Sequence, residues 1–233
     1  MKFAIDNKIF ENYPELVVGV LVVKNVNNQG SNPEITSLLR REEERIRGLI
    51  KPDELSVHPK LVSWLEAHKK FGSKPKDYYP SVYAIVKRVV KGGTLPSINK
   101  LVDLYNYICL KYIIPVGGED LDKCSGDIEL TYAKGDEEFF EIGGTEMRPP
   151  SPGEVVYKDD LGVLCRRFNW READRTKLTE NTENAVLVIE GLPPITREEL
   201  NIALMDFVGL IKNHCQGEQL TSILDKSNQH FSF

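Results

Sequence analysis

The feature that most restricts the fold is the run at residues 16–23, Leu-Val-Val-Gly-Val-Leu-Val-Val, closed by Lys24. Branching at Cβ stiffens a side chain and suits it to a pleated sheet, and an apolar run without polar alternation fits a strand covered on both faces. The run therefore predicts a central strand, and the rest of the chain must cover it twice. It is too short for a bilayer, which takes about 20 apolar residues in a helix. Asp6, Lys8 and Glu11 interrupt the N-terminus before an apolar signal segment can form. The expectation is a cytoplasmic protein with no membrane partner.

Four helices are expected ahead of residue 113. Asn32-Pro33 is a helix start, with Leu38, Leu39, Ile46, Leu49 and Ile50 as its apolar face and the charged run 40–45 as a solvated face with four-residue ion pairs. A second helix follows His58-Pro59, carrying Leu61, Val62, Trp64, Leu65 and His68 in helical spacing up to Gly72, with Trp64 read as core. A third covers residues 81–91 and ends at Gly92-Gly93, and a fourth covers 97–112. On the fourth, Asn99, Asp103 and Asn106 form a polar stripe suited to lining a cavity.

From Asp127 the texture becomes strand-like. Ile128, Leu130 and Tyr132 alternate with polar residues, a turn at 133–136 leads to Phe139, Phe140 and Ile142, and 155–157 and 163–165 flank a hairpin turn at 159–162. Residues 185–189 predict another buried strand and 197–214 a last helix, while the polar tail after Gly217 is expected to fray. The fold class is α+β, a helical N-terminal half packed with a mixed or antiparallel sheet. At 233 residues with 41% hydrophobic content, one large domain has a full core and two would be a tight fit.

Cys109, Cys124, Cys165 and Cys215 are widely spaced, with no C-x-x-C pair and no histidine at ligand spacing, so they read as reduced thiols. No metal or organic cofactor site is visible. With 35 acidic against 30 basic side chains the net charge is −5, so any nucleic-acid contact must come from a local basic face. The phosphate-loop, dinucleotide-fold, nucleophile-elbow and H-E-x-x-H signatures are all absent. What remains is a run of polar residues and glycines at element ends, from Asn106 to Asp122.

Three segments carry a resemblance: Val102-Asp103-Leu104-Tyr105-Asn106-Tyr107, the turn from Pro115 to Asp122, and Gly126-Asp127-Ile128 with its following alternating strand and Lys-Gly-Asp-Glu turn. Through them, residues 98–190 resemble the B-three/B-four (tRNA-binding, editing) domain of the phenylalanyl-tRNA synthetase β subunit. Over its whole length the chain is similar to stand-alone relatives of that domain. The resemblance implies a single B-three/B-four-like domain over residues 1–233. It also implies a trans-editing deacylase that hydrolyses the ester of a mischarged tRNA, with the tRNA acceptor end and an aminoacyl-tRNA synthetase as partners. Asn106 falls on the asparagine of the editing pocket, and Gly117 stands where the synthetases have a histidine. Asn169 and Trp170 align with the glycine pair of their editing loop, and Glu190 with the pocket glutamate once two residues are inserted. Asn106, Gly117, Gly118 and Asn169 are thereby candidates for catalysis, and Asp103, Trp170 and Glu190 for substrate binding. Tyrosine selectivity is not carried over, and the Trp170 indole is placed to narrow the pocket.

Each assignment has a plainer competitor. Gly117-Gly118 either offers backbone amides to an oxyanion or makes a tight turn after Pro115. Asp103 and Asn106 either line the pocket or cross-link helices, Asp120 and Asp122 read as turn and capping residues, and Trp170 either caps the pocket or fills core. Arg166, Arg167, Arg171, Arg175 and Lys177, with Lys87, Arg88 and Lys91, either hold acceptor-end phosphates or are a solvated strand edge. The alternative function is a non-catalytic module that binds RNA or a small amino-acid-like ligand.

Overall fold

The computed structural model describes residues 1–233. β1 (Lys2–Ile5) and the short α1 (Asn7–Asn12) precede β2 (Val17–Lys24), which takes up the apolar run. Four helices follow: α2 (Pro33–Leu49), α3 (Pro59–Lys70), α4 (Ser81–Val90) and α5 (Lys100–Tyr112). Then come β3 (Val116–Asp120), β4 (Ile128–Tyr132), β5 (Val155–Lys158), β6 (Val163–Arg166), β7 (Arg171–Glu172) and β8 (Ala185–Gly191). The chain closes with α6 (Arg197–His214), β9 (Glu218–Leu224) and β10 (His230–Ser232).

The strands form two sheets, one ordered β3-β8-β2-β9 and fully antiparallel, the other ordered β10-β1-β4-β5-β6-β7 with only β1 and β4 parallel. β2 and β8 are the inner strands of the smaller sheet and are buried along nearly their whole length, as an apolar run without alternation requires. Gly19 lets α6 approach β2: a Cβ there would lie 3.1 Å from Leu200 Cδ2. The fold is α+β, and none of its helices is long and apolar enough to cross a membrane.

Local signals place the helix ends. Asn32 accepts from Glu34 and Ile35 N–H with Pro33 in the first turn of α2. Thr196 and Glu199 close a reciprocal capping box on α6. Trp64 is core, 1% exposed.

Several expectations are corrected. The fourth helix starts at Lys100, because Asn99 caps it and Asp103 turns back to accept from Ser97 Oγ and Ile98 N–H. Leu49 is exposed, and the charged run is not all solvated. Glu43 is fully buried between Arg40, at 2.6 Å, and the N–H of Leu95, at 2.7 Å. Phe140 and Ile142 form no strand; Phe140 makes one isolated bridge to Met147. The tail does not fray: β9 pairs with β2 over seven residues and β10 pairs with β1, so the polar tail supplies an edge to each sheet.

Candidate functional site

Antiparallel pairing puts Gly117 opposite Val188 and Glu119 opposite Val186, and the period of two adds Glu190 to the same face of the smaller sheet. On the larger sheet, Tyr157 pairs with Cys165 and Cys165 with Glu172, one row across three strands. These two faces enclose a cavity of about 230 Å³, closed by Tyr105 and Asn106 of α5, Ser81 and Ile85 of α4, and the segment 168–171. Asn106, Gly117, Gly118, Asn169, Trp170 and Glu190 thus come together around one space. Asp103 does not join them, since its carboxylate is spent on the chain entering α5.

Gly117 and Gly118 lie in a strand, not in a tight turn. Glu190 N–H donates to Pro115 O at 3.1 Å and Asp120 N–H turns away to Thr176 O at 2.8 Å. By the alternation of an antiparallel ladder, Gly117 directs its N–H at β8 and Gly118 directs its own at the free edge of the sheet. The absent side chains matter as well. A Cβ on Gly117 would lie 2.7 Å from Glu172 Oε1, and one on Gly118 2.5 Å from Leu187 Cδ2.

The turn carrying Asn169 and Trp170 is held in an uncommon conformation. Arg167 and Phe168 have φ of +50° and +68°, a left-handed pair that non-glycine residues adopt at a cost. Phe168 anchors it, packed edge-on against Trp64 and Tyr13 at 5.1 and 5.5 Å between centroids. Glu154, 1% exposed, grips it through Arg166 Nε at 2.8 Å, Arg166 Nη2 at 2.9 Å and the N–H of Arg167 at 3.2 Å. Asn169 O accepts from Ser81 N–H, tying the turn to α4.

Most of the basic cluster is spent on internal contacts. Arg166 is buried and paired, and Arg167 lies 3.8 Å over the Tyr78 ring and near Glu154. Arg175 is forked onto the buried Asp159, Lys177 is paired with Asp174, and Lys87 donates to Tyr79 Oη. These five side chains serve internal contacts and do not form a continuous solvent-facing stripe. Arg171, half-exposed and paired with Glu141 at 2.9 Å, stands at the cavity's rim, while Arg88 and Lys91 are exposed at the end of α4. Asp120 and Asp122 take capping and turn roles, Asp120 accepting from Asp122 N–H and Thr182 Oγ1.

Inside the cavity the charge is acidic. Glu190 accepts from Tyr157 Oη at 2.5 Å and from Asn169 Nδ2 at 2.7 Å. Burial pushes its carboxyl up to about 8, partly offset by those two donors. Glu119 and Glu172 meet side chain to side chain; burial raises both, and the charge of Glu172 raises Glu119 further. Two neighbouring buried carboxyl groups resist ionising together, so the pair holds on to a proton. Glu119 Oε2 and Glu172 Oε2 are buried without a partner. Burial lifts the Cys165 thiol well above its usual value, which leaves it a poor nucleophile.

Sequence reasoning missed Glu119, Glu172, Tyr157 and His68. Glu119 stands two residues beyond Gly117, so the period of two pointed to it. His68 was placed only as part of the apolar face of the second helix. It is buried, 3.4 Å from Asn169 Oδ1, with burial lowering it to about 4, so it is a neutral neighbour of the site.

The fold and cavity together define an α+β protein with a small, acid-lined cavity between two sheets. Residues 63–216 match the model of the B3/4 domain, and the chain belongs to that family. It is 35% identical over 80 residues to the phenylalanine–tRNA ligase beta subunit of Fusobacterium nucleatum, covering 34% of this chain and 10% of that protein. To the corresponding subunit of Cutibacterium acnes it is 29% identical over 117 residues, covering 50% and 14%. The matches therefore span only 10% to 14% of those relatives' lengths. Among solved structures, an N-terminal fragment of the phenylalanyl-tRNA synthetase beta subunit from Pyrococcus horikoshii superposes with a TM-score of 0.51 at 14% identity. That superposition covers 93% of this chain and 49% of the fragment.

Proposed function

We propose that the protein is a trans-editing aminoacyl-tRNA deacylase whose inter-sheet cavity receives the aminoacyl end of a mischarged tRNA. The observation that carries this reading is the convergence of Asn106, Gly117, Gly118, Asn169, Trp170 and Glu190 on one enclosed space in a member of the B3/4 family. At about 230 Å³ the space is smaller than the roughly 300–1,000 Å³ typical of drug-sized ligands and suits a group of amino-acid size.

The residues divide the work. Asn106 is 8% exposed, lines the cavity and keeps its carboxamide free, so it orients the attacking water. Asn169 is committed to Glu190 and shapes the wall. Gly118 N–H, unspent on β8, is the donor for the developing oxyanion. Water adds to the ester carbonyl, the acyl–oxygen bond breaks, and the proton lost by the water passes to the departing ribose oxygen, leaving a free amino acid and an uncharged tRNA. Trp170, edge-on to Tyr78 at 4.9 Å, and Arg171 border the opening, where the terminal nucleotide stacks and its phosphate lies.

The test is a deacylation panel: the purified protein against tRNAs charged with each amino acid, with an Asn106→Ala control. Selective, Asn106-dependent ester loss is expected. Retained tRNA binding with no ester loss on any species would replace this reading with a non-catalytic RNA-binding module.

A further inference from the structure

We propose that Glu119 and Glu172 form a receptor for a cationic amine borne by a ligand that lacks a carboxylate of its own. The inference rests on the reading that the cavity takes an aminoacyl end, and it names the chemistry by which the cavity recognises it: an amino acid esterified at its carboxyl group and free at its amine.

Four observations carry it. First, Glu119 is 6% exposed and its Oε2 has no hydrogen-bond partner, nor has Glu172 Oε2, and both side chains line the cavity. A buried acceptor left unpaired is costly, and the protein sets only neutral groups beside the pair, Thr176 at Glu119 and Cys165 at Glu172. An ammonium brings three donors and the complementary charge. Second, Glu190, the third carboxylate, has an oxygen taken by Tyr157 and another by Asn169, which leaves the vacancy to the pair. Third, residue 117 is glycine, and a Cβ there would crowd Glu172 Oε1 at 2.7 Å, so the missing side chain keeps that carboxylate reachable. Fourth, the lining holds one cation, Arg171, which is half-exposed at the rim and paired with Glu141. No cation inside pairs with a carboxylate, and the charge left on the Glu119–Glu172 pair disfavours one. A free amino acid is therefore rejected and its ester accepted, which is also the discrimination a deacylase needs in order to release its product.

Binding has a proton signature. The empty pair holds a proton that an arriving ammonium displaces to solvent. Of the other titratable and charged groups around the pair, burial raises Tyr105, Cys124, Tyr157 and Cys165, which stay neutral, and Arg171 is paired with Glu141 at the rim. Glu190 is the other group able to lose a proton there, so the source of the proton is assigned by its loss in Glu119→Gln and Glu172→Gln.

The experiment is calorimetric titration of the full chain at pH 7, in two buffers of different ionisation heat, with amino-acid methyl esters. The best-binding ester is then compared with its free acid and its N-acetyl derivative. The free acid should bind at least about tenfold more weakly, since like-charge juxtaposition costs several kcal/mol. The N-acetyl ester should lose binding to a similar degree, and ester binding should release up to one proton, a release lost in Glu119→Gln and Glu172→Gln. Glu119→Gln and Glu172→Gln, each removing a buried carboxylate without loss of volume, should abolish the preference while the thermal transition persists. Equal affinity for the free acid or the N-acetyl ester, no binding of any ester, or an undiminished preference in both variants would overturn the proposal. The two readings separate cleanly. Amine-selective binding without hydrolysis of any aminoacyl-tRNA rejects the deacylase and keeps the receptor, whereas hydrolysis indifferent to N-acetylation rejects the receptor and keeps the deacylase.

Discussion

Two asparagines border the cavity and do different work. Asn169 is locked between Glu190 and His68, so its replacement disturbs the wall, whereas Asn106 has nothing to hold but a ligand or a water. Asn106→Ala should therefore lower the deacylation rate by about 10²-fold, the scale of losing one positioned polar group at a reaction centre, with an unchanged melting profile; an unaltered rate would remove Asn106 from the chemistry. Glu190 supplies a pH prediction. Its carboxyl titrates near 4.5 in the unfolded chain and about 8 in the fold, so the native state binds the extra proton between those values. The stabilising contribution is complete below about 4.5 and is lost as pH rises towards 8. Thermal melts should show stability declining from pH 5 to pH 8, with a shallower decline in Glu190→Gln, and equal slopes would contradict the assignment. Asn106, Gly117 and Asn169 were legible from the sequence because a family resemblance places them. Glu172 was not, since its burial depends on which strands flank a two-residue strand, and that is set by tertiary pairing.

At the scale of elements, the turn at Arg167 and Phe168 is the costliest piece of backbone near the site, and Glu154 with the Phe168 anchor maintains it. Glu154→Gln leaves the Arg166 guanidinium buried without its partner and should cost about 3–5 kcal/mol in urea unfolding, as breaking one side of a buried pair does. A loss below about 1 kcal/mol would mean that the pair is effectively solvated. Strong local signals had made β2, α6 and the hairpin of β5 and β6 readable: an unbroken apolar run, a helical repeat with termini, and a turn between two short β-branched segments. The basic cluster misled for a physical reason, because the partners that bury Arg166 and Arg175 lie 12 and 16 residues away in sequence and carry no local mark. The tail misled likewise. β9 is largely exposed and polar, so its composition resembles a loop, yet its backbone completes the ladder of β2. Deleting residues 218–233 uncovers an edge of each sheet, and the truncated chain should aggregate or fail to show a cooperative transition; a soluble, cooperatively melting product would contradict that role.

Across the whole molecule, β1 and β10 pair although they lie far apart in the sequence, with Lys2 opposite Ser232. β9 edges the smaller sheet and β10 the larger, so one segment contributes a strand to each of the sheets that face the cavity. The net charge of −5 and the internal pairing of most arginines near the opening leave few cations for a phosphate backbone. Binding of tRNA should accordingly show a shallow salt dependence, equivalent to neutralising no more than about three phosphates at a slope near −0.9 each; a slope matching six or more would point to a basic surface away from the cavity. The most direct measurement is a crystal structure with a hydrolysis-resistant aminoacyl-adenosine, its ester replaced by an amide, carrying the amino acid that the deacylation panel selects. The expected result places the side chain between the sheets, the carbonyl beside Asn106 and Gly118, the amine between Glu119 and Glu172, and the adenine against Trp170. An analogue bound elsewhere, with the cavity left empty, would contradict the assignment of this cavity to the aminoacyl end.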